Sequence, residues 1–217
     1  IRVVAPQKSM PNLIGTIEGA NAGRHLVLNG HIDVFPVSDH PQKEGWITPP
    51  WSGEVIDEKI YGRGSTDMKC GTSASIWTYI ILNHFKSSFN GKLTLTCVSD
   101  EENFGPWGSR WLMDNEPEVL GDCCLNGEPS SPFTIRYGEK GLLWLNFKIK
   151  TEGSHGAYTH LSKSATIVAA SLIKNLEELE DLDVDIPESL LIAQNKSAAA
   201  FDKGMGAGAA SIAPKVT

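Results

Sequence analysis

The chain of 217 residues carries 26 acidic and 19 basic side chains, a formal net charge of −7, and is 41% hydrophobic. That length supports one or two domains with a sizeable core, and the acidic balance argues against a nucleic-acid surface. No apolar run of about 18 residues offers a transmembrane helix, so the expectation is a cytoplasmic protein with neither a membrane nor a nucleic acid as partner.

The first residues, Ile1-Arg2-Val3-Val4-Ala5-Pro6, lack the layout of a signal peptide, and a start on Ile reads as a fragment edge or a processed end. Strand-like runs follow at 12–18 and 25–29, and 51–61 reads as a hairpin turning at Asp57-Glu58-Lys59. Residues 71–82 read as a helix with an apolar face at Ile76, Tyr79, Ile80 and Leu82. A strand at 93–98, a helix opening over 108–114 and a strand at 123–126 continue the alternation. This order predicts α/β architecture, a mostly parallel sheet flanked by helices. Near Tyr137-Gly138-Glu139-Lys140-Gly141 the pattern changes. Residues 142–150 alternate as a strand, with Leu143, Leu145, Phe147 and Ile149 on one face. Residues 164–179 predict an amphipathic helix with Ile167, Ala170, Leu172, Ile173 and Leu176 inward and Ser164 as its N-cap. A second domain therefore begins here, giving domains at 1–137 and 138–217. The Ala- and Gly-rich stretch 197–213 has no clear period, and Lys215-Val216-Thr217 reads as the opening of a strand. Cys70, Cys97, Cys123 and Cys124 form no CxxC pair and read as buried thiols in a reducing compartment. No phosphate-binding loop is present, which argues against a nucleotide-binding domain.

Four of these segments end in chemistry-bearing residues. His31 and Asp33 lie two apart in an extended run, so regular alternation puts them on one face. A metal-bound His commonly gives its other ring N–H to a carboxylate; the alternative is a histidine hydrogen-bonded at a sheet end. Asp67 follows a glycine-punctuated turn and precedes a helix, where it could bridge two metal ions or act as an N-cap. Glu101 and Glu102 close a buried strand just after Asp100. Acids there are costly unless paired or metal-bound. Adjacent glutamates point differently, so one can ligate a metal while the other moves a proton; a solvated acidic loop is the alternative. Glu128 is held extended by Pro129, at a ligand position or an ordinary turn. His155 stands between glycines in Gly153-Ser154-His155-Gly156, in an exposed loop. His25, His40, His84 and His160 lack such company and read as structural.

Together these pieces resemble the M20 metallopeptidase family, which includes acetylornithine deacetylase and succinyl-diaminopimelate desuccinylase. The resemblance rests on Gly30-His31-Ile32-Asp33-Val34, Gly62-Arg63-Gly64-Ser65-Thr66-Asp67-Met68-Lys69-Cys70-Gly71, Asp100-Glu101-Glu102, Gly127-Glu128-Pro129 and Gly153-Ser154-His155-Gly156, in the family's order. It implies a two-zinc centre in which His31 and Glu128 each bind one ion, Asp67 bridges both and Glu102 holds the second. It also implies that Asp33 orients His31, that Glu101 is the general base and later the acid, and that His155 stabilises the oxyanion. Co2+ or Mn2+ could replace zinc in so carboxylate-rich a site. The 138–217 stretch would then begin an inserted α+β lid through which the protein dimerises, and the Asp67-Met68 peptide would be cis. The second ion is expected to take a late histidine beyond this chain, so this stretch alone is expected to bind at most one metal tightly. The implied reaction is hydrolysis of an amide bond in a small N-acyl amino acid or dipeptide. The alternatives are a carbamoyl- or ureido-amino-acid hydrolase and a catalytically silent metal-binding relative.

Overall fold

β-Branched and aliphatic runs, which suit a pleated, half-buried surface, supply most of the strands. The computed structural model of the chain describes residues 1–130 and 134–217, in two compact units, Ile1–Pro129 and Ser130–Thr217. The strands of the first unit are β1 (Arg2–Gln7), β2 (Met10–Glu18), β3 (His25–His31), β4 (Glu54–Ile56), β5 (Lys59–Tyr61), β6 (Lys92–Val98) and β7 (Cys123–Asn126). Its longer helices are α1 (Gly71–His84) and α2 (Ser109–Asn115).

Five strands form one sheet in the order β1-β2-β6-β3-β7. The architecture is α/β, and the sheet is mixed. β1 with β2 and β2 with β6 are antiparallel, while β3 runs parallel to both β6 and β7. β1 carries no sequence expectation. It is a largely exposed edge whose register shifts between Val4 and Gln7, around Pro6, a residue tolerated only at such edges. β4 and β5 make the expected hairpin. Its two-residue turn has Asp57 at φ 48° and Glu58 at φ 61°, the left-handed pair that matches strand twist; Lys59 already opens β5.

Alternation along β6 divides the core between two layers. Leu93, Leu95 and Cys97 pack with Ile17, Leu28 and Tyr79, the last from α1. Val98 packs with Ile14 and with Leu112 of α2. The two helices therefore cover opposite faces of the sheet. The buried face of α1 is more polar than its sequence suggests. Thr72 and Ser75 are buried beside Tyr79, whereas Ile80 is largely exposed.

The second unit contains α3 (Ala165–Glu177), α4 (Glu188–Met205) and α5 (Ala209–Ile212). α3 falls where the amphipathic pattern predicts, with Ser164 at the N-cap position. The Ser164 hydroxyl meets Thr166 Oγ1 at 2.7 Å and caps no backbone N–H. Ile167, Ala170 and Ile173 are exposed and only Leu172 and Leu176 of the expected inward set are partly buried, so the inward face is narrower than expected. Residues 142–150 are not a strand. Their alternation is a local property, whereas a strand needs a hydrogen-bonded neighbour, and no described segment pairs with them. Nor do residues 215–217 begin one. The periodless 197–213 stretch is helical as far as Met205 and again over Ala209–Ile212, as its alanines favour.

Leu28, 2% exposed at the centre of the α1-side core, makes the packing testable. Leu28→Ala should lower the unfolding free energy by about 2–5 kcal/mol, read from the urea midpoint at an unchanged slope.

Candidate metal centre

The C-terminal ends of parallel strands leave a crevice where ligands bind in α/β sheets. Four segments deliver side chains there. His31 is the last residue of β3 and lies opposite Val98 of β6 in register. Asp100, Glu101 and Glu102 follow β6, and Glu128 lies just beyond β7. Asp67 comes from the irregular turn Ser65–Cys70, which leads into α1 and is non-helical at Asp67 and Met68. The Asp67-Met68 peptide is cis.

His31 is the hub. Its side chain is nearly sealed from solvent, and its Nε2 lies 2.9 Å from Asp67 Oδ1, 3.5 Å from Glu128 Oε2 and 3.8 Å from Glu101 Oε2. Nδ1 donates to the Asp33 backbone carbonyl at 2.9 Å. Among the described residues, His31, Asp67 and Glu128 offer one nitrogen and two oxygens within 4.8 Å of one another. Bonds of about 2.0–2.1 Å to a tetrahedral cation place ligand atoms about 3.4 Å apart, so the donor set fits a divalent metal with small adjustments. Gly71 permits the approach of the Asp67 and Glu128 segments, since a Cβ there would lie 1.9 Å from the Gly127 carbonyl oxygen.

The remaining residues are arranged differently from one another. Glu101 joins the cluster through His31. Glu102 turns its carboxylate away, and its Oε1 accepts the Phe35 N–H at 2.9 Å. Asp33 reaches across in return, as its Oδ2 accepts the Glu102 N–H at 3.1 Å. Its buried Oδ1 has no hydrogen-bond partner and lies 3.6 Å from His31 Nδ1. His31 is therefore oriented by the Asp33 carbonyl more closely than by the expected carboxylate. His155 belongs to the second unit, where its Nδ1 accepts the Ala157 N–H at 3.2 Å and its ring lies 5.6 Å from that of Tyr158.

Two supporting residues escape a reading of the sequence. Asn12, almost fully buried in β2, donates to the Trp107 carbonyl at 2.8 Å and accepts the Ser99 N–H at 2.9 Å. Asp100 takes a left-handed backbone (φ 64°), and its Oδ2 accepts the Trp107 N–H at 3.2 Å. Together they anchor the loop that carries Glu101 and Glu102. A third acid at the strand end was the one available hint, and Asn12 gave none.

The crowding shifts the titrations. Burial, then repulsion from Asp67, pushes the Glu128 carboxyl up to about 7, against the attraction of His31. Burial likewise raises Glu101, helped by Glu102, Asp33 and Asp67 and opposed by His31. For His31, burial disfavours the imidazolium. The Asp33 carbonyl, the Asp67 carboxylate and the charges of Glu101 and Glu128 outweigh it, and the net shift is upward. Protons thus hold together a cluster that a cation could hold instead.

An imidazole ringed by carboxylates at the strand ends of an α/β sheet is a donor set suited to a divalent cation. The chain belongs to Peptidase family M20/M25/M40, whose pattern matches residues 27–213. It is 30% identical over 205 residues to a succinyl-diaminopimelate desuccinylase of Cereibacter sphaeroides, covering 91% of this chain and 52% of that protein. It is 33% identical over 186 residues to the Paracoccus denitrificans protein of the same name, covering 82% and 47%. The chain spans about half the length of the curated relatives it matches. An M20 family metallo-carboxypeptidase from Sulfolobus solfataricus shares the fold, with a TM-score of 0.57 at 19% identity over 86% of this chain and 45% of that one.

Ligation needs neutral His31 and ionised Glu128, and both groups are shifted upward. Divalent-metal affinity should therefore rise with pH and weaken as pH falls through about 7, with protons released on binding. Calorimetry in buffers of different ionisation enthalpy reads both effects; pH-independent binding would contradict this assignment.

Proposed function

We propose that this chain forms the zinc-binding part of an amidohydrolase that cleaves the amide bond of a small N-acyl amino acid or dipeptide. The observation that carries this reading is the convergence of His31, Asp67 and Glu128, with Glu101 beside them. The names of the relatives make an N-succinyl amino acid the first substrate to try.

In this reading His31 and Glu128 would hold one zinc ion, Asp67 would be shared with a second, and Glu102 would serve the second. Once bound, the cations polarise the amide carbonyl and lower the pKa of water. Glu101 takes the proton from the attacking water and returns it to the departing amine. Its burial-raised pKa suits that exchange, because a base works best when its pKa lies near the operating pH. Asp33 keeps His31 turned with Nε2 toward Asp67, through the carbonyl bond to Nδ1. Glu102 would turn Oε2 to the second ion while Oε1 keeps the Phe35 N–H.

We assign the second unit to a lid through which the protein dimerises, and His155 to the stabilisation of the oxyanion. The four cysteines are free thiols, but only Cys97 is buried; Cys70, Cys123 and Cys124 are exposed, against the expectation of four buried thiols. Free thiols support a reducing compartment, the cytoplasm. No described helix is long and apolar enough to cross a membrane.

Glu101→Gln separates metal binding from proton transfer. The variant should keep its metal content and lose turnover of N-succinyl and N-acetyl amino acids by about 10²–10⁴-fold. Full activity would remove Glu101 from the mechanism. Turnover confined to N-carbamoyl substrates would redirect the substrate assignment.

A further inference from the structure

His31 closes a strand whose neighbour stops early. In a parallel strand, the backbone groups of alternate residues face opposite neighbours. Ile32, just beyond β3, donates its N–H to the Val98 carbonyl at the end of β6 at 2.8 Å, and the Asn29 carbonyl accepts the Gly127 N–H on the β7 side at 3.2 Å. His31, two residues from Asn29, faces that same side. There β7 has already ended at Asn126. The His31 N–H and C=O would be left without a strand, at a position almost sealed from water.

Their partners come from the segment that carries Asp67. The His31 N–H donates to Met68 Sδ at 3.1 Å, and the His31 carbonyl accepts the Thr72 hydroxyl at 2.8 Å. Met68 follows Asp67 directly, and Thr72 lies in the first turn of α1. Both are buried, Met68 at 1% exposure. Gly30 leaves room for the pair, since a Cβ there would meet Thr72 Oγ1 at 2.5 Å and Met68 Cε at 3.0 Å.

We infer that Met68 and Thr72 are positioning residues that replace a sheet partner for His31 and thereby lock it to Asp67. The inference rests on the proposed metal centre for its consequence, although the clamp itself is independent of any metal. One segment sets both the carboxylate oxygen and the backbone of the imidazole, so the 2.9 Å separation of Nε2 and Oδ1 is held from two sides. The heteroatoms of both side chains are engaged with the His31 backbone.

The test uses Thr72→Val, which removes the donor with little change of shape, Thr72→Ser as the rescue, and Met68→Leu, a near-volume-conserving swap. In the metal-free protein, hydrogen exchange at the His31 amide should quicken in Met68→Leu. Cobalt affinity should fall about tenfold in Thr72→Val, as for one lost hydrogen bond, with a changed cobalt absorption spectrum, and return in Thr72→Ser. A merely structural role would lower the melting temperature and leave the cobalt spectrum of the folded protein as in the parent. Parental amide exchange in Met68→Leu, or parental cobalt affinity and spectrum in folded Thr72→Val, would overturn the inference. If Thr72→Val does not fold, Met68→Leu decides alone. A parent that takes up no cobalt would instead contradict the metal centre, and the His31 amide exchange would still decide the clamp.

Discussion

The first unit is organised around a charge problem. Asp67, Glu101 and Glu128 converge on one imidazole at the end of a sheet, with Asp33 beside it. Among the described residues, every ion pair in this cluster runs to His31. Carboxylates so placed repel one another and are partly desolvated, which favours their protonated forms. The upward shifts at His31, Glu101 and Glu128 express that same constraint. A divalent cation relieves it more completely than protons do, because it can take several carboxylates at once. The sheet order, the close approach of Gly71 to Gly127 and the Asn12 anchor all serve to keep the crowding in place.

The rigidity comes from backbone groups. His31 is tied through its ring to the Asp33 carbonyl, and through its main chain to Met68 and Thr72. The Asp33 carboxylate accepts the Glu102 N–H and the Glu102 carboxylate accepts the Phe35 N–H, joining the residues after β3 to those after β6. The imidazole and the carboxylates thus sit on segments that hold each other. This is the supporting layer that a metal site needs to fix ligand orientation before an ion arrives.

Much of this was legible in the sequence, for identifiable reasons. β2, β3 and β6 read clearly because each is a largely apolar run closed by polar or glycine residues, and β7 as a short Cys-Cys-Leu run before Asn126-Gly127. The residues at their ends, His31, Glu101 and Glu128, stood out because charge is costly beside such runs. β1 was missed because Pro6 and an exposed edge blur its pattern. Residues 142–150 misled in the opposite direction, since alternation is local and a ladder is not. The Ala-rich part of α4 was hidden because alanine favours helix without marking a face. Long-range bonds were out of reach as well. Nothing in the spacing of Phe35 and Glu102, or of Asn12 and Trp107, announces a contact across tens of residues.

The central claim, that His31, Asp67 and Glu128 form a cation site, is tested most directly by X-ray absorption at the zinc edge of the zinc-loaded protein. The account predicts a first shell of nitrogen and oxygen at about 2.0–2.2 Å with one imidazole and no sulfur. His31→Ala should remove the imidazole contribution. A sulfur shell at about 2.3 Å, or an imidazole contribution unchanged in His31→Ala, would contradict the account, because the metal would then be held by cysteines or by another histidine.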